Sequence, residues 1–132
     1  IDDTDAKLTG FETHSTSTSK FVAAGYRHDG NTAKGQQTAV FELKFPDAGN
    51  YEIRLSYSPH PNRATNVPVT IQHARGEAIV QVNQEAAPAL NGLYHPVGRF
   101  SFEADKEYSV EISNRNTDGY VVIDSMQAVK IK

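Results

Sequence analysis

Two stretches hold most of the side chains that could recognise a ligand. Residues 58–66 read Ser-Pro-His-Pro-Asn-Arg-Ala-Thr-Asn and supply His60 and Arg63, directly after Tyr57. Residues 83–95 supply Asn83, Gln84, Asn91, Tyr94 and His95. The first is polar with almost nothing apolar, so it cannot pack into a core, and the second is irregular from Glu85 to Tyr94. They belong on the surface, where binding groups sit on a rigid scaffold. The chemistry they suit is recognition of sugar-like ligands. An aromatic face packs on ring C–H groups, while planar Arg, Asn and Gln groups satisfy hydroxyls in pairs. Each residue alone has a plainer reading. Tyr57 can be core, Arg63 can bridge loops, and His73 can be an inward histidine with its bonds satisfied. The clustering in two loops is what favours a ligand.

Other chemistries fit less well. Serine and histidine are plentiful, but no Gly-x-Ser-x-Gly elbow occurs. The acids Glu42, Glu52 and Glu111 fall at outward strand positions and read as solvated side chains rather than as a glycosidase pair. The five histidines show no His-Glu-x-x-His spacing, and there is no cysteine, which removes disulfides, thiol catalysis and Cys-ligated zinc. Asp2, Asp3 and Asp5 could hold Ca²⁺ together with loop carbonyls; a polar terminus explains them as well, and no cofactor is expected. Asp124 is the odd carboxylate. It falls in an otherwise apolar stretch, where it needs hydrogen bonds or a cation. A structural tie is its expected role.

The elements that must position these groups are strands. Tyr51, Ile53, Leu55 and Tyr57 alternate with Glu52, Arg54 and Ser56, the period of a half-buried strand. Residues 38–45 repeat the pattern with Ala39, Phe41, Leu43 and Phe45 inward, and the Pro-Asp-Ala-Gly-Asn turn at 46–50 is expected to join the two as a hairpin-like pair. Further strands are expected at 67–73, 77–82, 95–103 and 108–112, with a weak edge strand at 8–14 and a last strand over 120–131. Residues 13–20 and 27–37 read as exposed polar loops. No window sustains a helical apolar period. The fold class is all-β: an antiparallel, jelly-roll-like sandwich of about eight to ten strands. The expected core is Phe41, Leu43, Phe45, Tyr51, Ile53, Leu55, Val69, Ile71, Val80, Val82, Phe100, Phe102, Val110, Ile112, Val122 and Ile123.

At 132 residues the chain has the size of one domain, residues 1–132. A net charge of −3 without basic runs argues against nucleic acid, and no apolar run is long enough to insert in a membrane. The opening Ile-Asp-Asp-Thr-Asp, with neither initiator Met nor signal peptide, reads as a piece of a larger multidomain protein.

The order of these features resembles the golvesin C-terminal / xanthan-lyase carbohydrate-binding-like domain. The resemblance rests on the Asp-rich opening, Gly10-Phe11, Gly25-Tyr26, Pro46 to Tyr57, and Asn62-Arg63-Ala64-Thr65 before Val67-Pro68-Val69. Later pieces are His73 and Gly76, Val82-Asn83-Gln84, Gly98-Arg99-Phe100-Ser101-Phe102, and Tyr120 to Ser125. It covers nearly the whole chain. Family members often carry Trp where this chain has Phe11 and Tyr94, and it has no Trp at all. The resemblance implies a non-catalytic β-sandwich module that binds polysaccharide or oligosaccharide. Such a module attaches a secreted or surface bacterial protein, in an extracellular, periplasmic or cell-surface setting, beside other domains of its parent. The ligand residues expected are His60, Arg63, Tyr94, His95, Asn83, Gln84 and Tyr57, with His60 and Arg63 meeting Tyr94 and His95 at one rim. The alternative is a structural module docking onto a neighbouring catalytic domain.

Overall fold

The computed structural model describes residues 6–11, 13–15, 25–32, 34–90 and 92–131. Among them there is no helix, and none therefore that could cross a membrane. The strands are β1 (Lys7–Thr9), β2 (Thr13–Ser15), β3 (Tyr26–His28), β4 (Thr38–Lys44), β5 (Gly49–Ser56) and β6 (Val67–His73). They continue with β7 (Gly76–Val82), β8 (Tyr94–Phe102), β9 (Glu107–Ser113), β10 (Val122–Ile123) and β11 (Met126–Ile131). Ten of these span three residues or more, and every strand pair is antiparallel. The fold is an all-β, jelly-roll-like sandwich.

One layer is a five-stranded sheet, β1-β4-β9-β6-β7. The other is built from two three-stranded sheets, β10-β3-β2 and β11-β5-β8. Alternation decides the facing. Along β4, Ala39, Phe41 and Leu43 are buried while Glu42 and Lys44 are exposed; along β5, Tyr51, Ile53 and Leu55 are buried between partly exposed Glu52 and Arg54. The inward residues of all three sheets meet in one cluster. At its lower end Phe45 packs on Tyr51 and Phe102 with ring centres 4.2 and 4.5 Å apart. Of the expected core, Val80 and Phe100 are only partly buried; Phe11, Tyr26, Ala64 and Met126 join it instead.

Several expectations change. The turn at 46–50 closes no hairpin: β4 pairs with β1 and β9 while β5 pairs with β8 and β11, so the turn carries the chain from one sheet to another. The edge strand at 8–14 is two strands, because Gly10 (φ 78°) and Phe11 (φ 51°) turn left-handed between them. A side chain at Gly10 would collide with Gln37, whose Cγ lies 2.4 Å from the position a Cβ would take. The final stretch is not one strand. It leaves the β3 sheet after Ile123, passes Asp124-Ser125, and pairs with β5 from Met126 onward. Asp124 is buried at that joint. The polar run at 13–20 contains β2, its remainder lying outside the described residues, and β3 runs to His28, into the loop expected over 27–37.

Candidate functional site

The loops β3–β4, β5–β6, β7–β8 and β9–β10 all leave the sheets at one end. The registers require it: Thr38 faces Ser113, Val67 faces Val82, and Ser56 faces Tyr94. This end holds all seven candidate ligand residues, and it is cross-tied by polar bonds.

The deepest tie is Asp29. Its carboxylate is fully buried and accepts from the Asn31 and Val121 amides at Oδ1 (2.9 and 3.1 Å). At Oδ2 it accepts from Asn114 Nδ2 (3.0 Å) and Lys34 Nζ (2.9 Å). Lys34 also donates to the Gly119 carbonyl at 2.6 Å. Gln37, buried as well, donates to the Asp29 and Thr32 carbonyls and accepts from Phe11 N–H at 2.7 Å, which holds that left-handed turn. A buried charge is tolerable only with this degree of pairing. Nothing in the sequence singled out these four residues. Asp29-Gly30-Asn31 has turn composition, and composition does not say that a turn is buried.

Three of the seven, Arg63, Gln84 and Tyr57, turn inward and tie the loops together. Arg63 is 5% exposed. Its guanidinium donates to Ser58 O (2.9 Å), Ser58 Oγ (3.0 Å), Asn62 Oδ1 (2.7 Å) and Tyr26 Oη (3.4 Å), and stacks 5.6 Å above the Tyr26 ring. Gln84 is 2% exposed, and its amide pairs with the backbone of Val122 at both ends. Tyr57 is 1% exposed and donates its hydroxyl to Ala86 O (2.7 Å) and Asn83 O (3.2 Å). Burial pushes its pKa up to about 12.

Four of the seven reach solvent. His60 is exposed, and its Nδ1 accepts from Asn62 N–H (3.1 Å), which leaves the rest of the ring outward. Asn83 is exposed, with Oδ1 accepting from Glu85 N–H (3.0 Å). Tyr94 is partly exposed, its hydroxyl 2.7 Å from Ser125 Oγ. His95 is partly exposed and lies 6.3 Å from the Tyr57 ring; burial lowers its pKa. Tyr57, Asn83 and His95 are thus brought together. No described hydrogen bond or ring contact joins His60 or Arg63 to Tyr94 or His95, because Arg63 is turned inward. Asn91 and the Asp2, Asp3 and Asp5 group lie outside the described residues, among which no three His, Asp or Glu side chains gather as a metal would need.

The site thus stands on a two-layer antiparallel sandwich whose loops are tied together at one end. The chain matches the Golvesin C-terminal domain over residues 1–131, and it belongs to that family. It is 36% identical over 124 residues to a xanthan lyase of Bacillus sp. strain GL1, covering 92% of this chain and 13% of that protein. It superposes on the structure of a Paenibacillus xanthan lyase with a TM-score of 0.92 at 33% identity, covering 100% of this chain and 13% of that one. A family 35 carbohydrate binding module from an environmental isolate shares the fold, with a TM-score of 0.64 at 14% identity over 95% of this chain and 86% of that one. The chain therefore spans about an eighth of the lyases it resembles.

Proposed function

We propose that this domain is a non-catalytic carbohydrate-binding module that attaches a secreted or surface bacterial protein to polysaccharide. The observation that carries the reading is the loop end itself. Buried bonds from Asp29, Arg63, Gln84 and Asn114 fix four loops, and that fixed end presents His60, Asn83, Tyr94 and His95 to solvent. Preorganised polar and aromatic groups on an immobile rim suit sugar recognition, since little ordering cost is left for binding. The family 35 module with the same fold supports it. So does the 36% identity to part of a xanthan lyase, an enzyme named for a polysaccharide. The setting this implies is extracellular, periplasmic or the cell surface.

Affinity gel electrophoresis of the isolated domain against a panel of soluble polysaccharides tests the reading. Retention in at least one gel is expected, with Tyr94→Ala and His95→Ala weakening it. Absence of retention across the panel would sink the proposal. One observation favours the alternative of docking onto a neighbouring domain: Ile79 stands 59% exposed on β7, an edge strand. Covering such an edge is a common use of a partner domain. Size-exclusion with the parent protein's other domains separates the two.

A further inference from the structure

The outward face of β8-β5-β11 is a regular grid that starts from Tyr94 at the loop end and runs away from it. Register sets its rows. Tyr94 lies beside Ser56 and Ser125, Pro96 beside Arg54 and Gln127, Arg99 beside Glu52 and Val129, and Ser101 beside Asn50 and Ile131. From Tyr94 to Ser101 the face runs about 23 Å at the usual strand rise. That length accommodates several rings of an extended polymer.

The charges on it are arranged for an anion. Glu52, with its side chain 15% exposed, accepts from Arg54 Nε at Oε1 (2.7 Å) and from Arg99 Nε at Oε2 (3.3 Å). One carboxylate therefore pins two guanidinium groups, and among the described residues their Nη atoms carry no hydrogen bond. The Arg99 side chain is 68% exposed. A guanidinium with its terminal nitrogens open matches a carboxylate bidentately. The opposite layer has the reverse balance. Outward on the five-stranded sheet stand Glu42, Glu77, Glu107 and Glu111 against Lys7 and Lys44. An anionic chain is attracted to one face of the sandwich and repelled by the other.

We propose that the outward face of β8-β5-β11 binds the carboxylate groups of an acidic polysaccharide through Arg54 and Arg99, with Tyr94 packing on a ring at the end nearest the loops. This rests on the carbohydrate-binding reading and names its polymer class. Glu52 is a positioning residue here, holding the two guanidinium groups at fixed spacing.

The test is affinity gel electrophoresis of the domain against polygalacturonate and alginate, with hydroxyethylcellulose and galactomannan as uncharged counterparts. Preferential retention by the carboxylated gels is expected. Arg54→Gln and Arg99→Gln should each weaken it about tenfold, as for loss of one charge-assisted contact. Arg75→Gln, which removes the same charge at the exposed β6–β7 turn, should leave it unchanged. Circular dichroism confirms that each variant is folded. Equal retention by charged and uncharged gels would overturn the inference while leaving the carbohydrate reading standing. So would Arg54→Gln and Arg99→Gln variants that bind as the parent does, or an equal loss with Arg75→Gln. Retention by none of the four gels, nor by any other polysaccharide, would overturn both.

Discussion

The side-chain amide of Gln84 acts as a strand beside Val122. Its Nε2 donates to the Val122 carbonyl at 3.0 Å, and its Oε1 accepts from the Val122 N–H at 2.8 Å. The backbone of Gln84 meanwhile donates to the Ala64 carbonyl at 2.8 Å. One residue thus joins the β7–β8 loop to the β5–β6 loop and to β10. Replacing Gln84 by Leu removes both bonds and strands two buried backbone groups of Val122. The expected loss of folding stability is about 2–6 kcal/mol, summed from typical costs of one unsatisfied buried group each. Urea denaturation checks it. An unchanged midpoint would mean that Val122 finds other partners.

Arg63 gives a second prediction, separating guanidinium geometry from charge. Lysine keeps the charge but cannot span Ser58 O, Ser58 Oγ, Asn62 Oδ1 and Tyr26 Oη from one planar group. Arg63→Lys should lower the unfolding free energy by about 2–3 kcal/mol, the range for losing charge-assisted bonds at a buried site. A thermal melt within error of the parent would refute the role.

Gly119 is set by close approach. A Cβ there would lie 2.7 Å from the Asn62 carbonyl oxygen and 2.8 Å from the carbonyl carbon of Arg63, both backbone atoms that cannot swing away. Arg63 and Tyr120 form a β-bridge at this point, with Tyr120 N–H donating to Asn62 O at 2.9 Å. Gly119→Ala should cost about 1–3 kcal/mol by overpacking. Amide hydrogen exchange at Ala64 and Tyr120 should quicken with it, and unaltered protection at those amides would contradict the account.

The dependence on pH follows from two histidines. His28 is lowered first by burial and then by Arg63, against a smaller opposing pull from Asp29; His95 is lowered by burial. A histidine depressed in the folded state binds its proton more readily when unfolded. Stability is therefore complete above the ordinary histidine pKa, near 6.5, and declines as pH falls below it. His28 adds a direct reason, since its Nδ1 must stay unprotonated to accept from Gly30 N–H at 3.0 Å. Glu52 and Asp118 are lowered too, through hydrogen bonds from Arg54 and Thr65, so their contribution is lost only in the more acidic carboxylate range. Melting temperature should fall between pH 7 and 5, and a His28→Gln, His95→Gln variant should flatten that slope. A double variant with the parent's slope would exclude both histidines as its source.

The strands were legible because burial on one face writes a period of two into residues 38–45 and 51–57; that the turn at 46–50 carries the chain to the other sheet instead of closing a hairpin was not, since the same turn composition serves both. The single long strand expected over 120–131 failed for a related reason. Tyr120 to Ile123 and Met126 to Ile131 are each strand-like, and no local signal marks a change of sheet at Asp124-Ser125. The loops of this end were legible as loops, but which of their side chains turn inward was not. Arg63 and Gln84 look like ligand groups in sequence, because the carbonyls they satisfy belong to segments distant in the chain. Asp29, Lys34 and Asn114 escaped notice on the same ground, with Lys34 and Gly119 separated by 85 positions.

The route of the last strand also governs how the domain is made. β11 pairs with six residues of β5, Met126 against Leu55 through Ile131 against Asn50. Until a ribosome has released residue 131, β5 has one partner fewer and the inward face of Met126 is missing from the core. Pairings this distant in the chain slow the folding reaction. Nascent chains halted before Met126 should therefore remain sensitive to protease, and folding should complete abruptly once the final six residues of the strand have cleared the exit tunnel.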